Sequence, residues 1–197
     1  MQQNEIDDFN HVKSFGASFC TDKIEPAGYF TTYLKIAADL GPRASVCEIG
    51  VARGESLRMW QALFPLGKVT GVDYQAYERH WPEKTIQVIA TQDDPRLPSL
   101  LKDAGAAPFD LVVDDASHRG PETAKSFEML WPLVSPGGYY VIEDWYMALD
   151  RPDEVFLSSV TDLTRLLASR DAECDWVQYR WGLAIAHKRG NDQGGAL

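Results

Sequence analysis

Cysteine is scarce in this chain of 197 residues, which contains only Cys20, Cys47 and Cys174. An odd number of widely spaced cysteines argues against a disulfide framework and against a zinc knuckle. Long apolar runs are also missing, because no segment approaches the roughly 20 apolar residues that a membrane helix needs. The N-terminal sequence MQQNEIDDFN has neither a basic flank nor a hydrophobic signal core, so we expect a cytoplasmic protein that does not contact a membrane.

Positive charge is scarce as well. The 19 Lys and Arg residues are outnumbered by 29 Asp and Glu residues, which gives a net charge of −10 at pH 7. Binding to nucleic acid needs clustered basic side chains, whereas the basic residues of this chain are scattered. The charge therefore argues against a nucleic-acid partner and favours a small-molecule substrate.

The chain is long enough for one domain and too short for two comfortable ones. Its hydrophobic fraction of 45% is sufficient for one full core. We expect a single domain over residues 1–197, in which residues 1–40 form a lead-in and a helix. We also expect residues 190–197 to form a disordered tail.

Apolar strands alternate with helical stretches along the chain. The predicted strands are SVCEIG, KVTGVD, TIQVIA, FDLVVDDASH and GGYYVIEDW, and the predicted helices are residues 28–40, ESLRMWQALF, PRLPSLLKDAG and PETAKSFEMLWPLV. This alternation predicts an α/β fold with a doubly wound, mostly parallel, Rossmann-like sheet. After Trp145 we expect a helix over residues 154–168. Two β-like runs, DWVQYR and GLAIAHKR, should then pair as a C-terminal antiparallel hairpin that turns at Trp181–Gly182.

Three carboxylates stand where two apolar strands end. Asp115 follows FDLVVD, and the pair Glu143–Asp144 follows GGYYVI. The stretch between them carries apolar residues at helical spacing, which are Phe127, Leu130, Trp131 and Val134. A strand, a crossover helix and a second parallel strand would bring the carboxylates to one sheet edge, where open α/β folds bind ligands. Clustered carboxylates repel one another, so the pattern favours a magnesium ion held by Asp115, Glu143 and Asp144.

His118 lies three residues beyond Asp115 and would stand beside that ion as a general base, because an imidazole titrates near neutral pH. Other interpretations stay open for each residue taken alone. A strand-terminal aspartate often caps the next helix or faces water, and a histidine there is often an N-cap or a surface residue. The conjunction of three carboxylates with a histidine favours the metal site.

A turn with two glycines follows the first strand and opens a helix. It runs from Glu48 through Gly50 and Gly54 to Ser56. Glycines at such a turn leave backbone N–H groups open to an approaching ligand. A dinucleotide fingerprint needs a glycine where Ala52 stands, so the close approach of a pyrophosphate is disfavoured. The spacing instead resembles motif I of class I S-adenosylmethionine methyltransferases, with a tight structural turn as the alternative.

Asp73 ends the second strand, from where an acidic side chain can accept hydrogen bonds from both ribose hydroxyls of an adenosine cofactor. Tyr74 would flank that adenosine. Trp81, Trp145 and Tyr146 are candidates for an aromatic wall around a glycoside or polyketide, with ordinary core packing as the alternative.

Six segments together resemble the macrocin and mycinamicin family of magnesium-dependent sugar O-methyltransferases. They are Thr21-Asp22-Lys23, CEIGVARGESLRMW, GKVTGVD, Gln92-Asp-Asp-Pro95, FDLVVDDASH and SPGGYYVIEDW. The DDxSH and IED motifs at their mutual spacing are the most discriminating of these. Two departures concern the family's Gly-Asp pair, which is Ala90–Thr91 here, and a histidine that the family often has near the position of Gly28.

The resemblance implies a class I methyltransferase fold with S-adenosyl-L-methionine and Mg²⁺ as cofactors. It implies that Asp115, Glu143 and Asp144 hold the metal and that His118 is the general base. The residues that it implies in cofactor binding are Glu48, Gly50, Gly54, Ser56, Asp73, Tyr74, Gln92 and Asp114.

The implied reaction is methyl transfer to a sugar hydroxyl of a glycosylated natural product, as in antibiotic tailoring. One alternative is a catechol-type O-methyltransferase, which ordinarily has a lysine where His118 stands. Another is a cofactor-binding accessory protein without catalysis, which would need no base. The acceptor and the oligomeric state, including a homo-oligomer, stay open.

Overall fold

The computed structural model describes residues 19, 21–24, 28–76, 81–150 and 173–191. The helices are α1 (Phe30–Leu40), α2 (Glu55–Leu63), α3 (Leu97–Asp103) and α4 (Gly120–Leu130), with 3-10 helices at Trp131–Leu133 and Trp145–Asp150. The strands are β1 (Val46–Ile49), β2 (Val69–Asp73), β3 (Thr85–Ile89), β4 (Phe109–Asp114), β5 (Val134–Glu143), β6 (Cys174–Arg180) and β7 (Leu183–Lys188). None of the helices in these ranges is long and apolar enough to cross a membrane.

The seven strands form one sheet in the order β3-β2-β1-β4-β5-β7-β6. Strands β1 to β5 are parallel, whereas β7 is antiparallel to both β5 and β6. The predicted doubly wound sheet is confirmed, and so is the hairpin, because Arg180 pairs with Leu183 across the Trp181–Gly182 turn. The predicted helix over residues 154–168 lies outside the described residues, as do residues 192–197 of the predicted tail.

The order of the strands reverses between β1 and β4, which places a ligand-binding crevice at the carboxyl ends of these two strands. The strand register brings those ends level with each other. Ile49 of β1 pairs with Asp114 of β4, and Asp114 pairs with Ile142 of β5. The residues that follow these pairs, which are Gly50, Asp115 and Glu143, therefore meet at one edge of the sheet.

Two apolar layers cover the sheet, one on each face. Successive residues of β4 alternate between them, so that Val112 packs with α3 and α4 while Leu111 and Val113 pack with α1 and α2. Each large aliphatic side chain that is fully buried in these layers contributes about 1.5–3 kcal/mol. The sheet is therefore a rigid support for the loops at its carboxyl edge.

The crossover helix between β4 and β5 is shorter than the apolar spacing predicts. Helix α4 ends at Leu130, a 3-10 turn follows, and Val134 is the first residue of β5. The prediction that Val134 lies on the helix is therefore wrong. The cause is Pro132, which has no N–H to donate and whose ring clashes with the carbonyl four residues earlier in an α-helix. Val134 is nevertheless buried, because it packs in the same apolar layer as α4.

Candidate functional site

The turn after β1 is shaped by glycines in left-handed backbone conformation. Gly50 has φ 85° and Gly54, the N-cap of α2, has φ 80°. A β-carbon at Gly50 would overlap the backbone oxygen of Asp115 and lie 2.6 Å from the α-carbon of Ala116. Only glycine fits at this position, because the chain after β4 passes directly against it. At Gly54 a β-carbon would meet only side chains, at 3.3 Å or more.

Asp73 closes this turn from the end of β2. Its Oδ2 accepts hydrogen bonds from the backbone N–H groups of Val51, at 3.1 Å, and Ala52, at 3.0 Å. Its Oδ1 has a 3.4 Å contact with the N–H of Gln75. The carboxylate therefore fixes the turn with one oxygen and directs the other toward the crevice.

A cavity of about 410 Å³ opens at the switch point. Five of the residues predicted for the site line it, and these are Gly50, Asp73, Tyr74, Gln92 and Asp115. Tyr74 is 65% exposed at its rim, whereas Asp73 and Gln92 are buried. The other predicted cofactor residues, which are Glu48, Gly54, Ser56 and Asp114, lie behind this lining.

Gln92 links the loops that follow β3 and β4. Its Oε1 accepts a 2.8 Å hydrogen bond from the N–H of Ser117, and its Nε2 donates to Asp114 over 3.4 Å. Asp114 also accepts a bond from the hydroxyl of Tyr140, at 3.3 Å. Burial raises the pKa of Asp114 to about 7, although hydrogen bonds from Ser126, Tyr140 and the backbone of Ala116 favour its charged form. Asp114 thus positions a cavity residue from within the core.

A second set of side chains gathers at the ends of β4 and β5. Asp115, His118 and Asp144 each offer one ligand atom, and these atoms lie within 4.8 Å of one another. We call them the metal group. The Nε2 of His118 is 3.8 Å from Asp115 Oδ1 and 3.9 Å from Asp144 Oδ2, too far for hydrogen bonds. Two carboxylates with space between them fit a magnesium ion, which binds through few carboxylates and keeps several waters.

Lys23 is the cation at the centre of this edge. Its Nζ lies 2.5 Å from Asp115 Oδ2, 2.9 Å from Glu48 Oε1 and 3.0 Å from Glu143 Oε1. Lys23 is 1% exposed. We call these four residues the lysine cluster. Two of the three carboxylates that were expected to repel one another, Asp115 and Glu143, are therefore paired with a lysine that already neutralises part of their charge.

The charges of the lysine cluster shift its pKa values. Burial alone would lower the pKa of Lys23, but the three carboxylates raise it well above its usual value. Burial raises the pKa of Glu143 and of Asp115, and the single ammonium only partly offsets this. The cluster therefore carries excess negative charge, which a cation bound at the adjacent metal group would reduce.

Glu143 and Glu48 are held inside the protein. Glu143 accepts a hydrogen bond from the hydroxyl of Tyr33 in addition to its contact with Lys23, and it is 2% exposed. The Oε2 of Glu48 accepts from Ser56 Oγ, at 2.5 Å, and from Trp60 Nε1, at 3.0 Å. Both glutamates thus bind neighbouring elements, and Glu143 lies outside the metal group.

Helix α1 reaches this edge with two tyrosines. The hydroxyl of Tyr29 donates to Asp144, and the hydroxyl of Tyr33 donates to Glu143. Sequence reasoning missed these two residues and assigned no role to Lys23. A signal was present, since Tyr29 and Tyr33 are four residues apart at the start of a helix and therefore share one face.

The three candidate aromatic residues have different environments. Trp81 is buried and packs against Gly54, Gly71 and Leu57, so it belongs to the core. Trp145 donates from Nε1 to the backbone oxygen of Arg180. Tyr146 stacks on Trp181 of the β6–β7 turn. Of the three, only Trp145 and Tyr146 lie at the carboxyl edge of the sheet, beside Asp144.

The chain resembles known methyltransferases in sequence. Residues 47–145 match the family described as "Methyltransferase domain". The chain is 40% identical over 124 residues to the 8-demethyl-8-alpha-L-rhamnosyl tetracenomycin-C 2'-O-methyltransferase of Streptomyces olivaceus, with 59% of this chain and 32% of the relative covered. It is 41% identical over 112 residues to the mycinamicin VI 2''-O-methyltransferase of Micromonospora griseorubida, with 52% and 27% covered. The predicted resemblance to the mycinamicin family is thereby confirmed.

The fold matches a solved structure, that of the MycE methyltransferase from the mycinamycin biosynthetic pathway in complex with Mg and SAH. The TM-score is 0.79 at 25% identity, and the match covers 94% of this chain and 56% of that chain. In the sequence comparisons, this chain spans less than a third of the length of the two relatives named above. The family match nevertheless includes β2 to β5, all of β1 except Val46, and the whole lining of the crevice. The protein belongs to this methyltransferase-domain family.

Proposed function

We propose that this protein transfers a methyl group from S-adenosylmethionine to a sugar hydroxyl of a glycosylated natural product, with magnesium as a second cofactor. The observation that carries the proposal is the position of Asp115. This residue lines the cavity and is also a member of the metal group. A methyl donor in the cavity and an acceptor at the metal group would therefore meet at one side chain.

The cavity is proposed to bind S-adenosylmethionine through residues at its wall. Asp73 can accept a hydrogen bond from a ribose hydroxyl with Oδ1, because that oxygen has only a long contact with the Gln75 N–H. Tyr74 can cover the adenosine from the rim, and Gln92 can contact it from the opposite loop. Gly50 lets the backbone approach the cofactor.

The four predicted cofactor residues behind the wall are assigned a supporting role. Glu48 and Ser56 bind each other and connect α2 to β1, while Gly54 provides the left-handed N-cap of α2. Asp114 orients Gln92. Substitution of these residues should weaken cofactor binding by displacing the wall.

Magnesium is proposed to bind at Asp115 and Asp144, with water completing its coordination. When bound, the ion would polarise the acceptor hydroxyl and lower its pKa. Glu143 is assigned an anchoring role, because its carboxylate binds Lys23 and Tyr33. Asp144, which follows β5, is thus assigned to the ion, and Glu143, the last residue of β5, to the support behind it.

His118 is proposed as the general base. Its Nε2 lies between the two carboxylates without a hydrogen bond to either, so the neutral imidazole can accept a proton. As the acceptor oxygen attacks the methyl carbon, the carbon–sulfur bond breaks and its electron pair stays on sulfur. The products are the methyl ether, neutral S-adenosylhomocysteine and protonated His118.

The relatives support this proposal by their names, which describe O-methyltransferases of a rhamnosyl tetracenomycin and of mycinamicin VI. The experiment is incubation of the protein with S-adenosylmethionine, Mg²⁺ and a panel of glycosylated metabolites and simple phenols, followed by mass spectrometry. We expect one methyl group to be gained on the sugar of at least one glycoside. The gain should disappear with EDTA and return with Mg²⁺.

The controls separate the alternatives. Asp144→Asn should abolish transfer, whereas Asp94→Asn, which changes a carboxylate that pairs with Arg96 outside the metal group, should not. Calorimetric titration should detect binding of S-adenosylhomocysteine and no binding of NAD. Methyl transfer to phenols and to no glycoside would contradict the proposed sugar acceptor and favour a catechol-type O-methyltransferase. Cofactor binding without transfer to any acceptor would contradict catalysis and favour an accessory protein.

A further inference from the structure

Two stacked aromatic rings lie beside the metal group, where the 3-10 helix after β5 meets the β6–β7 turn. The ring centroids of Tyr146 and Trp181 are 5.0 Å apart, and the ring planes differ by 18°. Trp181 is 77% exposed, more than any other large hydrophobic residue recorded in the described ranges. Such an exposed aromatic surface is typical of a site that contacts a ligand or a partner.

Both rings are fixed relative to Asp144. Tyr146 lies two residues after Asp144, and the N–H of Met147 donates to the Asp144 backbone oxygen at 2.9 Å. On the other strand, Gly182 follows Trp181 with φ 72°, and a β-carbon there would overlap the ring of Tyr29. The hydroxyl of Tyr29 in turn donates to Asp144. The two rings are thus joined to the same carboxylate by the chain and by Tyr29.

Neither ring belongs to the lining of the cofactor cavity, which has its own aromatic residue in Tyr74. A ligand on the two rings would therefore approach Asp144 from outside that cavity. This is the direction from which an acceptor must come if its hydroxyl is to reach the metal group. The part of a glycoside that extends away from the reacting sugar is its aglycone, which in a polyketide glycoside presents a large apolar carbon surface.

We propose that Tyr146 and Trp181 form an aromatic platform that binds the apolar aglycone of the glycoside acceptor. This proposal rests on the proposed sugar O-methyltransferase function. The platform holds the aglycone while the sugar hydroxyl reaches Asp115 and Asp144. An indole face suits this role because it offers a large rigid contact surface and loses little conformational freedom on binding.

The test compares two acceptors that share one sugar, which are a polyketide glycoside and the simple methyl glycoside of that sugar. Trp181→Ala should raise KM for the polyketide glycoside by about tenfold or more, because aromatic stacking and apolar burial together are of that size. Its KM for the methyl glycoside should stay within about twofold of the wild-type value. Trp176→Ala is the matched control, since Trp176 is an exposed tryptophan of the same hairpin that stacks on His187 instead.

A binding experiment tests the platform without methyl transfer. The free aglycone, titrated into protein saturated with S-adenosylhomocysteine, should quench tryptophan fluorescence in the wild type and in Trp176→Ala, but much less in Trp181→Ala. Equal KM changes for both acceptors, or equal quenching in all three proteins, would overturn the platform. A change in oligomeric mass for Trp181→Ala, measured by light scattering, would instead identify a surface for self-association and also overturn it. Absence of methyl transfer by the wild type would contradict the proposed methyltransferase function, while the aglycone titration would still test the platform.

Discussion

Removal of the Lys23 ammonium is expected to destabilise the protein strongly. Lys23→Met keeps an unbranched side chain that is one atom shorter, but it leaves Glu48, Asp115 and Glu143 without their common cation. Breaking a buried ion pair by removing one partner costs about 3–5 kcal/mol, because the remaining charge stays buried. We expect a loss of this size in the free energy of unfolding near neutral pH, measured by urea denaturation of the metal-free protein.

The size of this loss should depend on pH. Burial raises the folded-state pKa of Glu143 and Asp115, so the folded protein binds protons that the unfolded chain has released, and stability falls as pH rises. Without the ammonium these pKa values rise further. The difference between Lys23→Met and the wild type should therefore be smaller in mild acid, where Glu143 and Asp115 are protonated, and grow toward alkaline pH.

Two further variants show whether the carboxylates cause the loss. Adding Glu143→Gln to Lys23→Met removes one of the unpaired charges and should restore part of the stability. Lys188→Met is the matched control, because Lys188 is also buried but pairs with the exposed Glu173, and its loss should cost only about 1 kcal/mol. A Lys23→Met protein within about 1 kcal/mol of the wild type at every pH would refute the view that Lys23 holds this edge together.

Three other changes test the site. Gly50→Ala should lower the free energy of unfolding by about 2–5 kcal/mol, because the new β-carbon strains the backbone and overlaps the chain after β4. Gly54→Ala should cost only about 1–2 kcal/mol, because it adds backbone strain without that overlap. Denaturant melts measure both losses, and equal losses would contradict the close approach at Gly50. His118→Ala should reduce turnover by about 10²-fold or more while the affinity for S-adenosylhomocysteine is kept, and near-normal turnover in a methyl-transfer assay would withdraw its role as base. Asp114→Asn should remove a fall in stability between about pH 4 and pH 7, since a carboxyl whose folded pKa is raised to about 7 stabilises the fold only while protonated; an unchanged pH profile of the urea midpoint would count against that shift.

The strand ends could be predicted from the sequence because their physics is local and periodic. An apolar run that stops at Asp115, a helical stretch and a second run that stops at Asp144 are sufficient to place both carboxylates at one edge. The turn at Gly50 was predictable for the same reason. The structure adds a second reason for glycine at this position, because a β-carbon would overlap the backbone of the chain after β4.

The support behind those carboxylates could not be predicted in the same way. Lys23 lies 92 residues before Asp115, in a stretch without helical or strand periodicity, so no pattern in the sequence connects them. The sequence predicted both Glu143 and Asp144 as ligands, and only side-chain direction at the end of β5 places Asp144 in the metal group and Glu143 in the lysine cluster. The prediction extended α4 too far because it followed the apolar spacing through Pro132. In the structure the α-helix ends before Pro132, since proline has no N–H to donate.

The contacts of helix α1 set a lower limit on the length of any working fragment. The family match begins at residue 47, after α1 and Lys23. A fragment cut to those limits would keep Asp115 and Asp144 but lose the ammonium and both tyrosine hydroxyls that hold the carboxylates in place. It would also lose β6 and β7, and although its crevice would still be lined by the same residue types, the charges at the edge would be unbalanced. Lys23, Tyr29 and Tyr33 are therefore structural parts of the site, and a fragment that retains its geometry must begin before Lys23.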